Sequence, residues 1–256
     1  MNFGAIIIGD EIMSGKRQDK HMPKVIETLK ARGLQLSWCR YLGDDPDDIT
    51  ATLRSTLAAD DVVFCFGGIG ATPDDHTRLC AARAAGVELL LHPEAEAEIR
   101  SRFGTEITTN RLKMGEFPLG AAIIPNPHNR IPGFSLGRHY FLPGFPQMAW
   151  PMMAWVLDTH YAHLFESGNA AESAIIVRGA GESSLIDLMN ECLARFPGVK
   201  LFSLPRMGAD RYIELGVRGE PGRVAAAITD LKDGVSALGY TWSEFPNAEC
   251  GMMNDE

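Results

Sequence analysis

The chain has 256 residues, of which 45% are apolar and 22% charged. That is ordinary globular usage, enough for one large domain or for a medium and a small one, and it excludes wholesale disorder. The net charge of −9 excludes a nucleic-acid binder that tracks phosphates with a basic stripe. It leaves room for a small anionic ligand, because helix N-termini and a metal supply positive field locally.

The first half alternates strand and helix. The opening MNFGAIIIGDEIMSG has no basic region before its short apolar run, so it reads as a strand, Ala5–Gly9, and not as a signal peptide. His21–Arg32 has helical spacing in Val25, Ile26 and Leu29 and stops at Gly33. Leu36–Leu42 reads as a strand. Asp47–Leu57 follows as a helix behind Pro46, a residue favoured in a first turn. Asp61–Phe66 is a continuous apolar run bounded by Gly67-Gly68, the pattern of a strand buried on both faces. A helix from His76 to Ala85 comes next. This β-α-β-α-β-α series predicts a parallel sheet with right-handed crossovers in a three-layer α/β domain.

The middle is less regular. Pro93–Phe103 reads as helix and Asn110–Gly115 as a helical turn. Ala121–Pro125 and His139–Leu142 read as strands on either side of the Pro/Gly-rich PNPHNRIPGFSLG. Gln147–Phe165 reads as a long helix, with Met148, Met152 and Met153 in the core. Its apolar part, Met148–Leu157, is interrupted by Pro151 and too short to span a bilayer. A polar cluster at Glu166–Ala170 marks a boundary, giving a first domain at 1–166 and a small α+β domain at 170–246. The second pattern is strand at Ser173–Arg178, helix at Ser183–Phe196, strands at Leu201–Leu204 and Tyr212–Val217, helix at Arg223–Leu238 and strand at Tyr240–Phe245. This βαββαβ order is that of a ferredoxin-like unit, followed by a tail at 247–256. The five cysteines (Cys39, Cys65, Cys80, Cys192, Cys250) are odd in number and form no CxxC pair, which points to buried thiols in a reducing compartment, the cytoplasm.

Carboxylates collect after the first three strands: Asp10 and Glu11, then Asp44 and Asp45, then Asp74 and Asp75. In an open parallel sheet those strand ends share the edge where ligands bind. Any one of these acids is readily explained as a helix cap. Three acidic loops together repel one another unless a cation sits among them, and a hard divalent cation held by one or two carboxylates and ligand phosphate oxygens answers that. Gly67, Gly68 and Gly70 allow a tight turn with N–H groups near an anion, and Thr72 and Thr77 add hydroxyl donors. No Gly-Lys-Ser/Thr follows, so the loop is not a Walker A motif.

The full string GGIGATPDDHT resembles the GGTG-x-TP-x-D-x-T signature of the molybdopterin-binding superfamily that includes MoaB, MogA and MoeA. IIIGDEIMSGKRQDKH, YLGDDPDDI, NPHNRIPGF and LPGFPQM are similar to successive segments of CinA-type members, from about residue 3 to 165. VRGAGES resembles the start of the small KH-like module that follows in those proteins, and no segment matches their C-terminal amidase domain. The resemblance implies that Asp75 serves metal and phosphate, that Asp44 and Asp10 are further functional acids with Asp10 also at the metal, and that Gly67, Gly68, Gly70, Thr72, Asp74 and Thr77 form a phosphate loop. Pro143 and Gly144 would line the pocket. It implies a divalent cation (Mg, Mn or Co) and a molybdopterin or another small phosphorylated ligand, pterin or nucleotide. It also implies a homodimer or homotrimer, while the acidic composition and the short apolar stretches argue for no nucleic-acid or membrane partner. Ile69, Ala71 and Asp19-Lys20-His21 depart from the family pattern. Three functions stay open: pterin binding or activation in molybdenum cofactor biosynthesis, metal-dependent cleavage of ADP-ribose-type pyrophosphates, and non-catalytic ligand sensing or scaffolding.

Overall fold

A computed structural model describes residues 1–165, 171–208 and 210–244. The chain divides into two compact units, Met1–Ser167 and Gly168–Glu256. The polar cluster at 166–170, the tail at 247–256, Phe245 and Cys250 lie outside the described residues. No described helix is long and apolar enough to cross a membrane.

The first unit runs β1 (Phe3–Ile8), α1 (Asp10–Met13), α2 (His21–Lys30), β2 (Leu36–Leu42), α3 (Pro46–Leu57), β3 (Val62–Phe66), α4 (Thr77–Ala85), β4 (Leu89–Leu91), α5 (Pro93–Phe103), α6 (Thr109–Leu112), β5 (Glu116–Pro118), β6 (Ala122–Ile124), β7 (Gly133–Leu136), β8 (His139–Leu142) and α7 (Pro146–His160). Six strands form one sheet in the order β2-β1-β3-β8-β7-β6. The first four of these are parallel, and β7 and β6 add an antiparallel edge. The expected parallel sheet is present in β2-β1-β3-β8, and the antiparallel edge makes the whole sheet mixed, mostly parallel. Gly133–Leu136 lies inside the Pro/Gly-rich stretch and carries little local strand signal. Pairing with the buried β8 makes it a strand.

β1 is buried along its whole length, as a central parallel strand covered on both faces must be. Its alternate side chains sort into two cores. Phe3, Ala5 and Ile7 pack with Val25 and Leu29 of α2 and Met152, Met153 and Val156 of α7. Ile6 and Ile8 pack with Ile49 and Leu53 of α3, Cys80 and Ala81 of α4 and Ala95 of α5. The result is three layers, with the carboxyl ends of the parallel strands free at one edge. Local signals start the helices on that edge: the Asp45 side chain accepts from the N–H groups of Asp47 and Asp48, with Pro46 in the first turn of α3. α7 ends at His160, earlier than the sequence pattern suggests, and Tyr161 turns inward to share a hydroxyl hydrogen bond with Tyr140 at 2.9 Å.

The second unit runs β9 (Ala171–Arg178), α8 (Ile186–Arg195), β10 (Lys200–Arg206), β11 (Tyr212–Gly219), α9 (Pro221–Ala237) and β12 (Thr241–Glu244). Its sheet is antiparallel, in the order β10-β11-β9-β12. Ile175, Val177, Leu215 and Val217 pack against Leu188 of α8 and Ala227 and Leu231 of α9.

Candidate functional site

A cavity of about 430 Å³ lies at the carboxyl edge of the first unit's sheet. Its floor is the loop after β3. Gly67 has φ +105°, and a Cβ there would lie 2.3 Å from the carbonyl oxygen of Ile8. Gly68 has φ +67°, and a Cβ there would meet Thr77 Oγ1 at 2.2 Å. Neither position accepts a side chain, so the backbone itself faces the cavity. The N–H groups of Gly68, Ile69, Gly70 and Ala71 donate to no acceptor among the described residues. Four consecutive uncommitted N–H groups on a glycine turn form a concavity suited to an anion.

The remaining predicted loop residues divide by role. Thr77 is fully buried; its Oγ1 donates to Gly67 O at 3.0 Å and its N–H to Gly68 O at 3.0 Å. It braces the loop from below and does not line the cavity. Thr72 lines it, but its N–H (2.8 Å) and hydroxyl both donate to Asp75 Oδ2. Asp75 therefore holds the turn while facing the cavity, and Asp74 lines it beside Asp75. Arg78, which no sequence signal singled out, is buried and donates to Gly70 O through Nε (3.2 Å) and Nη2 (2.7 Å).

At the ends of β1 and β2, Asp10 N–H donates to Asp44 Oδ2 at 2.9 Å and Asp44 N–H donates to Asp10 Oδ1 at 3.1 Å. This reciprocal pair staples the two strand ends. Asp10 is spent in it and does not line the cavity; Glu11 and Asp44 do. The reason is geometric: Asp10 opens the short helix α1, and its carboxylate turns toward the neighbouring strand end. Burial raises the Asp44 carboxyl above the ordinary carboxylate range. The Asp10 N–H opposes that rise, and the charges of Asp10, Glu11 and Asp74 add to it.

This shift has a consequence for stability. A carboxyl with a raised folded-state pKa binds its proton more tightly in the native chain than in the unfolded one. Its destabilising share is therefore full above the raised value and fades as pH falls toward the ordinary range. Asp44→Asn keeps an acceptor for the Asp10 N–H. It is expected to raise the melting temperature at pH 7, with the gain over the parent fading as pH falls into the ordinary carboxylate range. Calorimetric scans of both proteins across that range check this.

The other walls come from farther along the chain. Pro143 and Gly144, in the loop between β8 and α7, line the cavity. Asn126, Asn129, Ile131 and Pro132 form a wall that sequence reasoning did not assign. Asn126 spans its own loop, donating to Ile131 O at 2.9 Å and accepting from His128 N–H at 3.0 Å. Asn129 donates to Met148 Sδ at 3.1 Å, so Met148, expected in the core, also faces the cavity. Among the described residues, Arg17 is the one basic side chain in the lining. The motif around it, IMSGKRQDKH, carried the signal, but spacing alone could not say which of Lys16, Arg17 and Lys20 turns inward.

The described residues gather no group of three or more His, Cys, Asp or Glu side chains able to hold a metal ion. The acids thus do not build a protein cage. What remains open to a hard cation is the arrangement in which one or two carboxylates act with ligand phosphate oxygens. Glu11, Asp44, Asp74 and Asp75 in the cavity lining fit that chemistry.

Residues 4–163 match a family described as a probable molybdopterin binding domain. A CinA-like protein of Anaeromyxobacter sp. (strain K) is 36% identical over 153 residues, which are 57% of this chain and 38% of that protein. The chain thus spans well under half the length of that relative. A protein of Caldivirga maquilingensis is 32% identical over 201 residues, 75% of this chain and 77% of that one. The crystal structure of the protein CinA, of unknown function, from Thermoplasma acidophilum superposes with a TM-score of 0.57 at 29% identity, covering 62% of this chain and 98% of the other.

Proposed function

The chain belongs to the molybdopterin-binding domain family, and on that premise we propose that it binds a phosphorylated pterin or nucleotide with a divalent cation, in a step of molybdenum cofactor biosynthesis. The observation that carries this reading is the run of four uncommitted N–H groups at Gly68–Ala71 on a turn that tolerates no side chain at Gly67 or Gly68. Such a run is arranged for phosphate oxygens.

In this reading the phosphate sits on the glycine loop. Arg17, also in the cavity lining, meets it. Asp75 and Asp44 hold the cation, whose chemistry is to neutralise phosphate charge and polarise a phosphoryl oxygen. Asp10 keeps the strand ends together so that Asp44 and Glu11 face inward. The apolar wall of Met114, Ile131, Pro132 and Met148 offers a surface to the organic part of the ligand.

A second reading, cleavage of an ADP-ribose-type pyrophosphate, is favoured by one feature. Asp44 faces the cavity with a raised pKa, as suits a group that takes a proton from water.

Titration calorimetry with AMP and with a phosphorylated pterin, each with and without Mg²⁺ or Mn²⁺, tests the binding. Micromolar, metal-enhanced affinity for at least one is expected, and no affinity for either with any metal would overturn it. Release of AMP from ADP-ribose decides for the second reading. Arg17→Gln is expected to weaken binding of the phosphorylated ligand about tenfold. It should also flatten the salt dependence of that affinity, because an exposed cation acts through screened attraction. The melting temperature should not move, since Arg17 forms no salt bridge among the described residues.

A further inference from the structure

Two consecutive residues at the start of α4 hold the glycine turn by its carbonyl groups. Thr77 donates its hydroxyl to Gly67 O and its N–H to Gly68 O, each at 3.0 Å. Arg78 donates to Gly70 O through both Nε and Nη2. Neither Thr77 nor Arg78 lines the cavity, whereas every residue from Gly67 to Thr72 does. No peptide bond among the described residues is cis, and in a trans peptide unit the C=O and the N–H point in opposite directions. A carbonyl drawn toward α4 therefore turns the N–H of its own peptide away from α4. Thr77 does this for the N–H groups of Gly68 and Ile69. Arg78 does it for the N–H of Ala71.

A buried guanidinium is a costly group for such a task. Arg78 is 7% exposed, and its carboxylate contact among the described residues, Glu116, lies 3.8 Å away. The other side of the same fork gives the reason for it. Nη1 donates to Lys113 O and, at 3.2 Å, to Glu116 O. These two residues flank Met114, which lines the cavity. One planar group thus joins the glycine turn to a segment 35 residues farther along the chain. Lysine carries its donors on a single nitrogen and would reach one segment but not span both. The buried positive charge also polarises the Gly70–Ala71 peptide and strengthens its N–H end as a donor.

We propose that Arg78 is the positioning residue of the glycine loop. It fixes the Gly70 carbonyl, aims the Ala71 N–H at the ligand's anionic group and keeps the loop at a set distance from the Met114 wall. The proposal rests on the reading that the glycine loop holds phosphate, yet it has a readout that needs no ligand.

The test uses Arg78→Lys in the full chain. The first measurement is ¹⁵N relaxation of the loop amides in the ligand-free protein. In the parent all four amides from Gly68 to Ala71 are expected to be as ordered as β3. In Arg78→Lys, Gly70 and Ala71 should lose order, while Gly68 and Ile69, still held by Thr77, should not. The second is titration calorimetry with AMP and Mg²⁺, well below the melting temperature of either protein, where Arg78→Lys should bind about tenfold more weakly. A merely structural arginine would lower the melting temperature and leave both readouts in place. Should Arg78→Lys not fold, Arg78→Gln, which buries no charge, carries the same measurements with the same expected results. Unchanged order at Gly70 and Ala71, loosening spread evenly over the unit, or unchanged affinity for AMP overturns the proposal. A parent protein that does not bind AMP counts against the phosphate reading instead, and the relaxation data then decide by themselves whether Arg78 sets the loop.

Discussion

Asp75→Asn is expected to lower metal-enhanced ligand affinity, and turnover if the protein has one, about a hundredfold, with a melting temperature close to that of the parent. Asp75 sits where the glycine turn and the other acidic strand ends meet, and its Oδ2 accepts from both the N–H and the hydroxyl of Thr72. Asparagine retains an oxygen that accepts the Thr72 N–H, so the turn survives. What disappears is the charge that a cation needs. If Asp75 did no more than cap this turn, a contribution of roughly 0.5–2 kcal/mol, the near-isosteric change would leave affinity untouched. If it stabilises charge at the site, a loss of about 3 kcal/mol is the scale of removing one such group. Calorimetric Kd values with and without Mg²⁺, set beside thermal scans, separate the two. Unaltered affinity and turnover would remove Asp75 from the site.

The largest effect on stability is expected from Gly67→Ala. The new methyl would lie 2.3 Å from Ile8 O at a backbone φ of +105°. Ile8 ends β1, which is paired on both sides, to β2 and β3, so its carbonyl has little freedom to retreat. Strained φ costs on the order of 1–3 kcal/mol and overpacking roughly another 1–3. At about 2–4 °C per kcal/mol for a unit of this size, the melting temperature should fall by about ten degrees. Gly137→Ala is the control: φ is +57° with nothing within 4 Å of the added methyl, so only the backbone term applies and the fall should be a few degrees. Equal losses for the two substitutions in differential scanning calorimetry would show that the close approach of the glycine loop to β1 is not what forces glycine at 67.

Much of this is legible in the residues alone, because the signals are local. Apolar runs of strand length, glycine stops and proline starts place β1, β2, β3, α3, α5 and β8 within a residue or two, since each element's state follows from its own side chains. The GGIGATPDDHT string marks the glycine turn on the cavity floor because only glycine serves where the backbone must turn with positive φ against a neighbouring strand. The order of five motifs names the family for the same reason: each is a short segment with its chemistry written in it.

What the tertiary structure alone decides is which of two adjacent residues faces the cavity, and what each polar group is already doing. Asp10 and Glu11 are neighbours in sequence, yet Asp10 is spent on the Asp44 N–H while Glu11 lines the cavity. Thr77 resembles Thr72 as a hydroxyl donor, yet one is buried under the loop and the other stands at its rim. β7 is a strand only because β8 pairs with it, and its antiparallel sense follows from the tight connection at Gly137-Arg138. Arg17, the Asn126–Asn129 loop and Met148 reach one cavity from three separate segments, and His21 meets Gly144 across 123 residues of chain. These roles are set by contacts between segments far apart in sequence, where neither partner's local pattern carries information about the other.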